Sequence, residues 1–376
     1  MGVSLARRLR PAALLAIAAV VVAPTVAVAK PTNGPVNAPA ARSDPAGLLK
    51  GQAIRGIAIN SPGSDPRTSL SDLLQLRADG VNTVNIYIRW SVANEYSTAL
   101  APRASTPTPQ ALRTVTSLAH AAGLSVEWMP IVTLNNGRAR LLLNPGDRTT
   151  WWAKYNAMID RYAKLAQSDG VEVFCIGSEL HGLQDDSAHW TALASRVRTV
   201  DHFTGLTTYM STTGYQNVTW WSAVDLIGLS PYYSISSRNI PPVDQMVAVW
   251  DRNLMPVLKQ LWSTYHRPVI FNEIGYPSEL QAALQPATAW TSPARKPSQE
   301  AQANAYEALL VSAGKQTSWL RGIVWFFWGP VKATKDRTYS PHNKMAECVV
   351  ARYWGSPSLT PIGTKAAPVC TATHLL

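Results

Sequence analysis

Histidine is scarce in this 376-residue chain. Its seven histidines are scattered, with no His-x-His pair and no His-Glu-x-x-His run, so neither a metal nor another cofactor is expected. Gly-x-Ser-x-Gly is missing too, which removes the serine-esterase elbow. The stretch GIAINSPGSD, at the end of the first apolar run, is a poor match to a Gly-rich phosphate loop, and this speaks against a doubly wound nucleotide-binding sheet. The apolar run at the N-terminus is too short to be read as a membrane span. Charged residues make up only 15% of the chain, and basic ones outnumber acidic ones 34 to 23, for a formal net charge of +11. They are dispersed, without a basic tract interleaved with aromatics, so nucleic acid is not an expected partner. Cysteine is limited to three residues. Cys175 lies inside an apolar run and reads as a free buried thiol, while Cys348 and Cys370 are placed to form a disulfide in the C-terminal tail.

What is present is organised. Arg7, Arg8 and Arg10 precede the apolar core AALLAIAAVVV (12–22), and Ala27-Val28-Ala29 has the small-x-small form of a cleavage site. Residues 1–29 therefore read as a secretory signal peptide, by the general route or the twin-arginine one. Residues 30–50, rich in Pro, Ala and Asn, read as a linker. The mature chain is expected outside the cell, as a monomer free of the membrane.

From residue 52 onward, apolar runs alternate with amphipathic stretches. The runs are IRGIAI (54–59), VNTVNIYI (81–88), LSVEWMPIV (124–132), VEVFCIG (171–177), GLTTYMS (205–211), VDLIGLS (224–230), RPVIFNE (267–273) and RGIVWFFW (321–328). Helical patterns fall at 69–80, 108–123, 149–170, 244–266 and 297–314; the first three end on glycine, and Pro256 predicts a kink in the fourth. Eight such units predict a single (β/α)8 barrel, an α/β fold, over residues 51–330. Residues 331–376 form an extension with a short helix near 343–353, expected to pack on the barrel.

Chemistry in such a barrel belongs at the C-terminal ends of the strands. Two glutamates stand there: Glu179, just past the fourth strand, and Glu273, closing the seventh. Those strands face each other across the mouth. A rim ion pair would put a lone glutamate in the same place, but glycoside hydrolysis needs two, one carboxylic acid for the leaving oxygen and one carboxylate at the anomeric carbon. Arg89, ending the second strand on its inward side, is expected to pair with Glu273, hold it ionised and lower its pKa.

On these residues the sequence resembles clan A of the glycoside hydrolases. IGSEL (176–180), NEIGYPS (272–278) and the Trp-rich last strand GIVWFFW (322–328) are most similar to family 113, the β-mannanase-like barrels. The resemblance spans about residues 52–330. It implies that Glu179 is the acid/base and Glu273 the nucleophile, with net retention of configuration. Much of the clan has Asn before the acid/base, where it holds the sugar 2-hydroxyl. Ser178 stands here instead, which leaves that contact unassigned.

In related barrels a tyrosine after strand six donates to the nucleophile; Tyr232 is the first candidate and Tyr233 the second. Trp325 or Trp328 is expected to floor the sugar site, and His181 is a candidate substrate contact. Trp90 and Trp128 read as core. The expected activity is retaining hydrolysis of a β-linked poly- or oligosaccharide, β-1,4-mannan first. The alternatives are the same mechanism on a β-glucan or β-galactan, and a non-catalytic glycan-binding barrel.

Overall fold

The computed structural model describes residues 52–59, 69–288, 295–330 and 336–355. The expected signal peptide, the linker and Cys370 lie outside them. Eight parallel strands close into a barrel: β1 (Ile54–Ile59), β2 (Thr83–Val92), β3 (Ser125–Leu134), β4 (Val173–Ser178), β5 (Leu206–Ser211), β6 (Leu226–Leu229), β7 (Val269–Ile274) and β8 (Leu320–Trp328). Each pairs with its neighbours in chain order, and β1 also pairs with β8, so no edge is left open. The fold is a (β/α)8 barrel.

Helix boundaries follow from capping chemistry. In α1 (Leu70–Ala78), Ser69 and Asp72 form a reciprocal capping box. Thr108 caps α2 (Pro109–Ala121), with proline in its first turn, and Asp147 caps α3 (Arg148–Ser168). Gly80, Gly123 and Gly170 follow these three helices with positive φ, the conformation that ends a helix at little cost for glycine alone. The helix α4 (Ser187–Thr199) follows β4.

Two connections are irregular. The stretch 244–266 is helical throughout, with its irregularity just before Pro256: α5 (Val243–Val249) passes through a π turn (Trp250–Leu254) into α6 (Met255–Tyr265), and Pro256 sits in the first turn of α6. Proline lacks the N–H an unbroken ladder would need, so the ladder is re-formed around it. Between β5 and β6 there are only two short 3-10 turns, Tyr215–Asn217 and Trp221–Ala223, with the buried rings of Trp220 and Trp221.

After β7 comes α7 (Gln299–Ala313), and the C-terminal α8 (Met345–Trp354) packs against it. Cys348, on α8, is disulfide-bonded.

Tryptophan is mostly structural. Trp128, Trp151, Trp152, Trp190, Trp221, Trp250, Trp319 and Trp325 are fully buried, most of them between the strands and the helix ring. Inside the barrel, Ile54, Val173, Leu206, Leu226, Ile270 and Val324 form one apolar cluster. Ala58, Tyr87, Met129, Ile131, Cys175 and Met210 form another, against which Phe326 and Phe327 pack. Between strands, Glu127 lies beside Asn85 in register and accepts a hydrogen bond from Asn272 Nδ2 at 2.8 Å. Complete burial pushes the Glu127 carboxyl up to about 8.

Candidate active site

The β4–β5 register slips between Cys175 and Ser178, and the β7–β8 register between Phe271 and Ile274. Both slips lie beside the two glutamates. Such irregularities re-aim side chains at barrel rims. Glu179 follows β4 with φ +54°, a left-handed conformation that costs a non-glycine residue about 1 kcal/mol or more. Its N–H donates to the Met210 carbonyl at 2.7 Å, and the next N–H, of Leu180, donates to the Tyr209 hydroxyl at 3.1 Å. These bonds hold the turn that sends the Glu179 side chain into the mouth, where it is 3% exposed.

Each Glu179 oxygen has a donor. The Ser230 hydroxyl donates to Oε1 at 2.6 Å, and Arg140 Nη2 reaches Oε2 at 2.6 Å. Across the mouth, Glu273 Oε2 accepts from the Tyr87 hydroxyl at 2.8 Å and Oε1 from the Tyr232 hydroxyl at 3.2 Å. Burial pushes the Glu273 carboxyl up, and the Glu179 charge adds to that; Arg140 and the two tyrosine hydroxyls oppose it. Burial, then the Glu273 charge, pushes both tyrosines well above their usual range, so they remain protonated donors.

Arg140 opens the 3-10 turn Arg140–Leu142 between β3 and α3. Burial disfavours its charge, but Glu179 and Glu273, followed by Tyr87 and Tyr232, outweigh this and raise its pKa. Sequence reasoning missed it, because NNGRARLLLNPGDR (135–148) offers three arginines with nothing to rank them. The structure separates them: Arg138 pairs with Glu95, Arg148 donates to the Gly182 carbonyl at 2.7 Å, and Arg140 alone of the three reaches Glu179. Ser230 was also missed, as was Tyr339. The Tyr339 ring lies 5.4 Å from Phe326 and 6.2 Å from Tyr232, so the C-terminal extension helps wall the site.

The arginine expectation needs correction. Arg89 does face the mouth, with its guanidinium 5.1 Å from the centre of the Tyr87 ring and within electrostatic reach of Glu273. Glu273 is nevertheless pushed up rather than down, and the arginine that opposes this most is Arg140. Complete burial beside a second carboxyl outweighs the nearby cations.

Trp325 also falls away from the site. It is fully buried, stacked at 3.9 Å on Tyr306 of α7, on the helix side of the wall. Trp328 stacks at 4.0 Å on His342. Regular alternation turns Val324 inward and Trp325 outward; beyond Trp325 β8 carries an extra residue, since Ile57 pairs with Trp325 but Ile59 with Trp328, and this turns Trp328 away from the interior. The β8 rings that pack on the interior cluster are Phe326 and Phe327.

Ser178 is buried, and its hydroxyl has no hydrogen-bond partner among the described residues. His181, in the turn after Glu179, is half-buried; burial lowers its pKa against the charge of Glu179. Tyr233 turns away to a hydrogen bond with Tyr215. Among the described residues no cluster of His, Cys, Asp and Glu is arranged to hold a metal ion.

A closed parallel barrel with two carboxyl side chains at the ends of β4 and β7 is an architecture of glycoside hydrolases. The model described as Glycoside Hydrolase Family 113 matches residues 64–344, and the chain belongs to that family. It is a glycoside hydrolase. Among solved structures it is similar to a family 113 β-1,4-mannanase, with 24% identity over 81% of this chain and 99% of that one and a TM-score of 0.70. It is also similar to the family 113 β-mannanase of Alicyclobacillus acidocaldarius in complex with ManMIm, with 26% identity, 81% and 97% coverage and a TM-score of 0.70. A fungal β-1,4-galactanase shares the fold at 14% identity over 80% of this chain and 99% of that one, with a TM-score of 0.53. No curated protein matches the sequence.

Proposed function

We propose that the protein is a retaining β-mannanase acting by double displacement on β-1,4-mannan. The observation that carries this reading is the pairing of Glu179 with Glu273 across one mouth, each oxygen of each carboxyl supplied with a donor. The mannanase structures to which the chain is similar support the sugar.

In the first step Glu179 gives a proton to the leaving oxygen while Glu273 attacks the anomeric carbon, forming a glycosyl ester as the glycosidic bond breaks. In the second step Glu179 takes a proton from water, whose oxygen attacks the same carbon, and Glu273 is released. Tyr87 and Tyr232 hold the Glu273 oxygens in place for attack. Before the first step Arg140 gives up Glu179 Oε2, so that this oxygen can face the glycosidic oxygen. Glu273 lies within the field of the same guanidinium, so the positive charge stays where negative charge is needed.

The test is product release from β-mannan, β-glucan and β-galactan by the wild type, and from a dinitrophenyl β-mannobioside, whose leaving group needs no proton, by Glu179→Ala and Glu273→Ala with azide added. Hydrolysis of mannan, rescue of Glu179→Ala as a β-mannosyl azide and rescue of Glu273→Ala as an α-mannosyl azide are expected. Cleavage of a different polymer would move the assignment to that sugar. Binding to mannan without products in the wild type would overturn the catalytic reading of the pair.

A further inference from the structure

The hydroxyl contact that Ser178 leaves open has a candidate donor in Arg140. Its guanidinium reaches Glu179 Oε2 at 2.6 Å, and its charge is set by Glu273 as well as Glu179. It therefore stands beside the space between the two carboxyls. In a double displacement the anomeric carbon occupies that space, and the hydroxyl on the adjacent ring carbon is the sugar group nearest to it. Arg140 Nε is buried and has no hydrogen-bond partner among the described residues. Buried N–H groups are seldom left unpaired, and one beside a reacting centre suits a ligand oxygen.

The arginine is also held in place. The Asn144 N–H donates to the Glu95 carbonyl at 2.8 Å, and the Glu95 carboxylate takes Asn136 Nδ2 at 2.9 Å and Arg138, tying the loop after β3 to the loop after β2. Ser178 offers one short hydroxyl on a buried strand end. A guanidinium instead presents several N–H donors in a fixed plane, so its Nε–H can hold a hydroxyl after Nη2 has released Glu179.

We propose that Arg140 is a substrate-binding residue that holds the hydroxyl on the carbon next to the anomeric centre, and that it carries the enzyme's recognition of that position. This rests on the retaining-mannanase reading above.

The experiment compares an aryl β-mannobioside with the analogue lacking the 2-hydroxyl on the reacting sugar. kcat and KM are measured for wild type, Arg140→Met and Arg140→Lys. The wild type is expected to lose roughly 10- to 100-fold in kcat/KM on the deoxy substrate, mainly in kcat, because this contact strengthens in the transition state. Arg140→Met should be slower on the parent substrate and should treat the two substrates within about threefold of each other. Lysine keeps the charge but lacks the Nε–H, so Arg140→Lys should also lose most of the discrimination, and it carries the test if the methionine variant does not fold. Full discrimination retained in a folded Arg140 variant would overturn the assignment. A wild type that cleaves neither mannobioside but cleaves another β-linked glycan would overturn the mannan reading instead, and the same deoxy comparison on that sugar would then decide Arg140.

Discussion

Tyr87 on β2 and Glu273 on β7 are 186 positions apart in the chain and joined by a 2.8 Å hydrogen bond across the barrel mouth. This bond and the one from Tyr232 oppose the burial that pushes Glu273 up. Removing the Tyr87 hydroxyl takes away a stabilising contact to the ionised form. Glu273 then moves further up, and a larger part of the population is protonated at low pH. Tyr87→Phe should lower kcat/KM by roughly tenfold or more at acidic pH, and shift the acid limb of its pH profile upward. The measurement is kcat/KM from pH 4 to 9 for both proteins. An unmoved acid limb would show that the bond does not act on Glu273.

Gly177 stands near the end of β4, two residues before Glu179. In the structure its missing side chain serves packing. A Cβ at Gly177 would lie 2.7 Å from the Trp190 ring and 3.0 Å from the Tyr155 hydroxyl, both on the helix side of β4. Gly177→Ala is therefore expected to destabilise the fold by about 1–3 kcal/mol through overpacking. Thermal unfolding would register this as a lower Tm, while KM for the folded enzyme stays within about twofold of wild type, as expected where packing rather than binding is disturbed. A selective rise in KM without loss of Tm would instead place Gly177 at the sugar site.

The barrel was legible because its signals are local. Apolar runs, Ser, Thr and Asp caps and glycine stops each act within a few residues, and the ends of α1, α2 and α3 follow them. Glu179 and Glu273 were legible for a related reason: in a closed parallel barrel, strand order alone sets the fourth and seventh strand ends facing one another. What the sequence withheld depends on irregularity. The extra residue in β8, between Trp325 and Trp328, breaks the alternation that would have turned Trp328 inward with Val324 and Phe326. Arg140 reaches the site from a loop, where no periodicity aims a side chain, and Arg138 and Arg148 nearby have the same chemistry but other partners.

Glu127 offers a test of the barrel interior separate from the chemistry at its mouth. Its carboxyl is fully buried and pushed from 4.5 up to about 8. Between those values the folded protein keeps a proton that the unfolded chain has released. Folding then takes up a proton, so stability falls as pH rises through that window. Asp79 and Glu347, buried near one another and pushed up to about 8 and about 7, act in the same direction. Glutamine has the shape of the protonated acid and keeps an oxygen for Asn272 Nδ2, but cannot ionise. Glu127→Gln should match wild type near pH 5 and exceed it at pH 9 by several kcal/mol, on the order of 4. Denaturant unfolding at pH 5, 7 and 9 measures the difference. The gap must widen with pH if Glu127 enters the fold as a neutral acid; a gap that stays constant would mean that its proton is lost already at low pH.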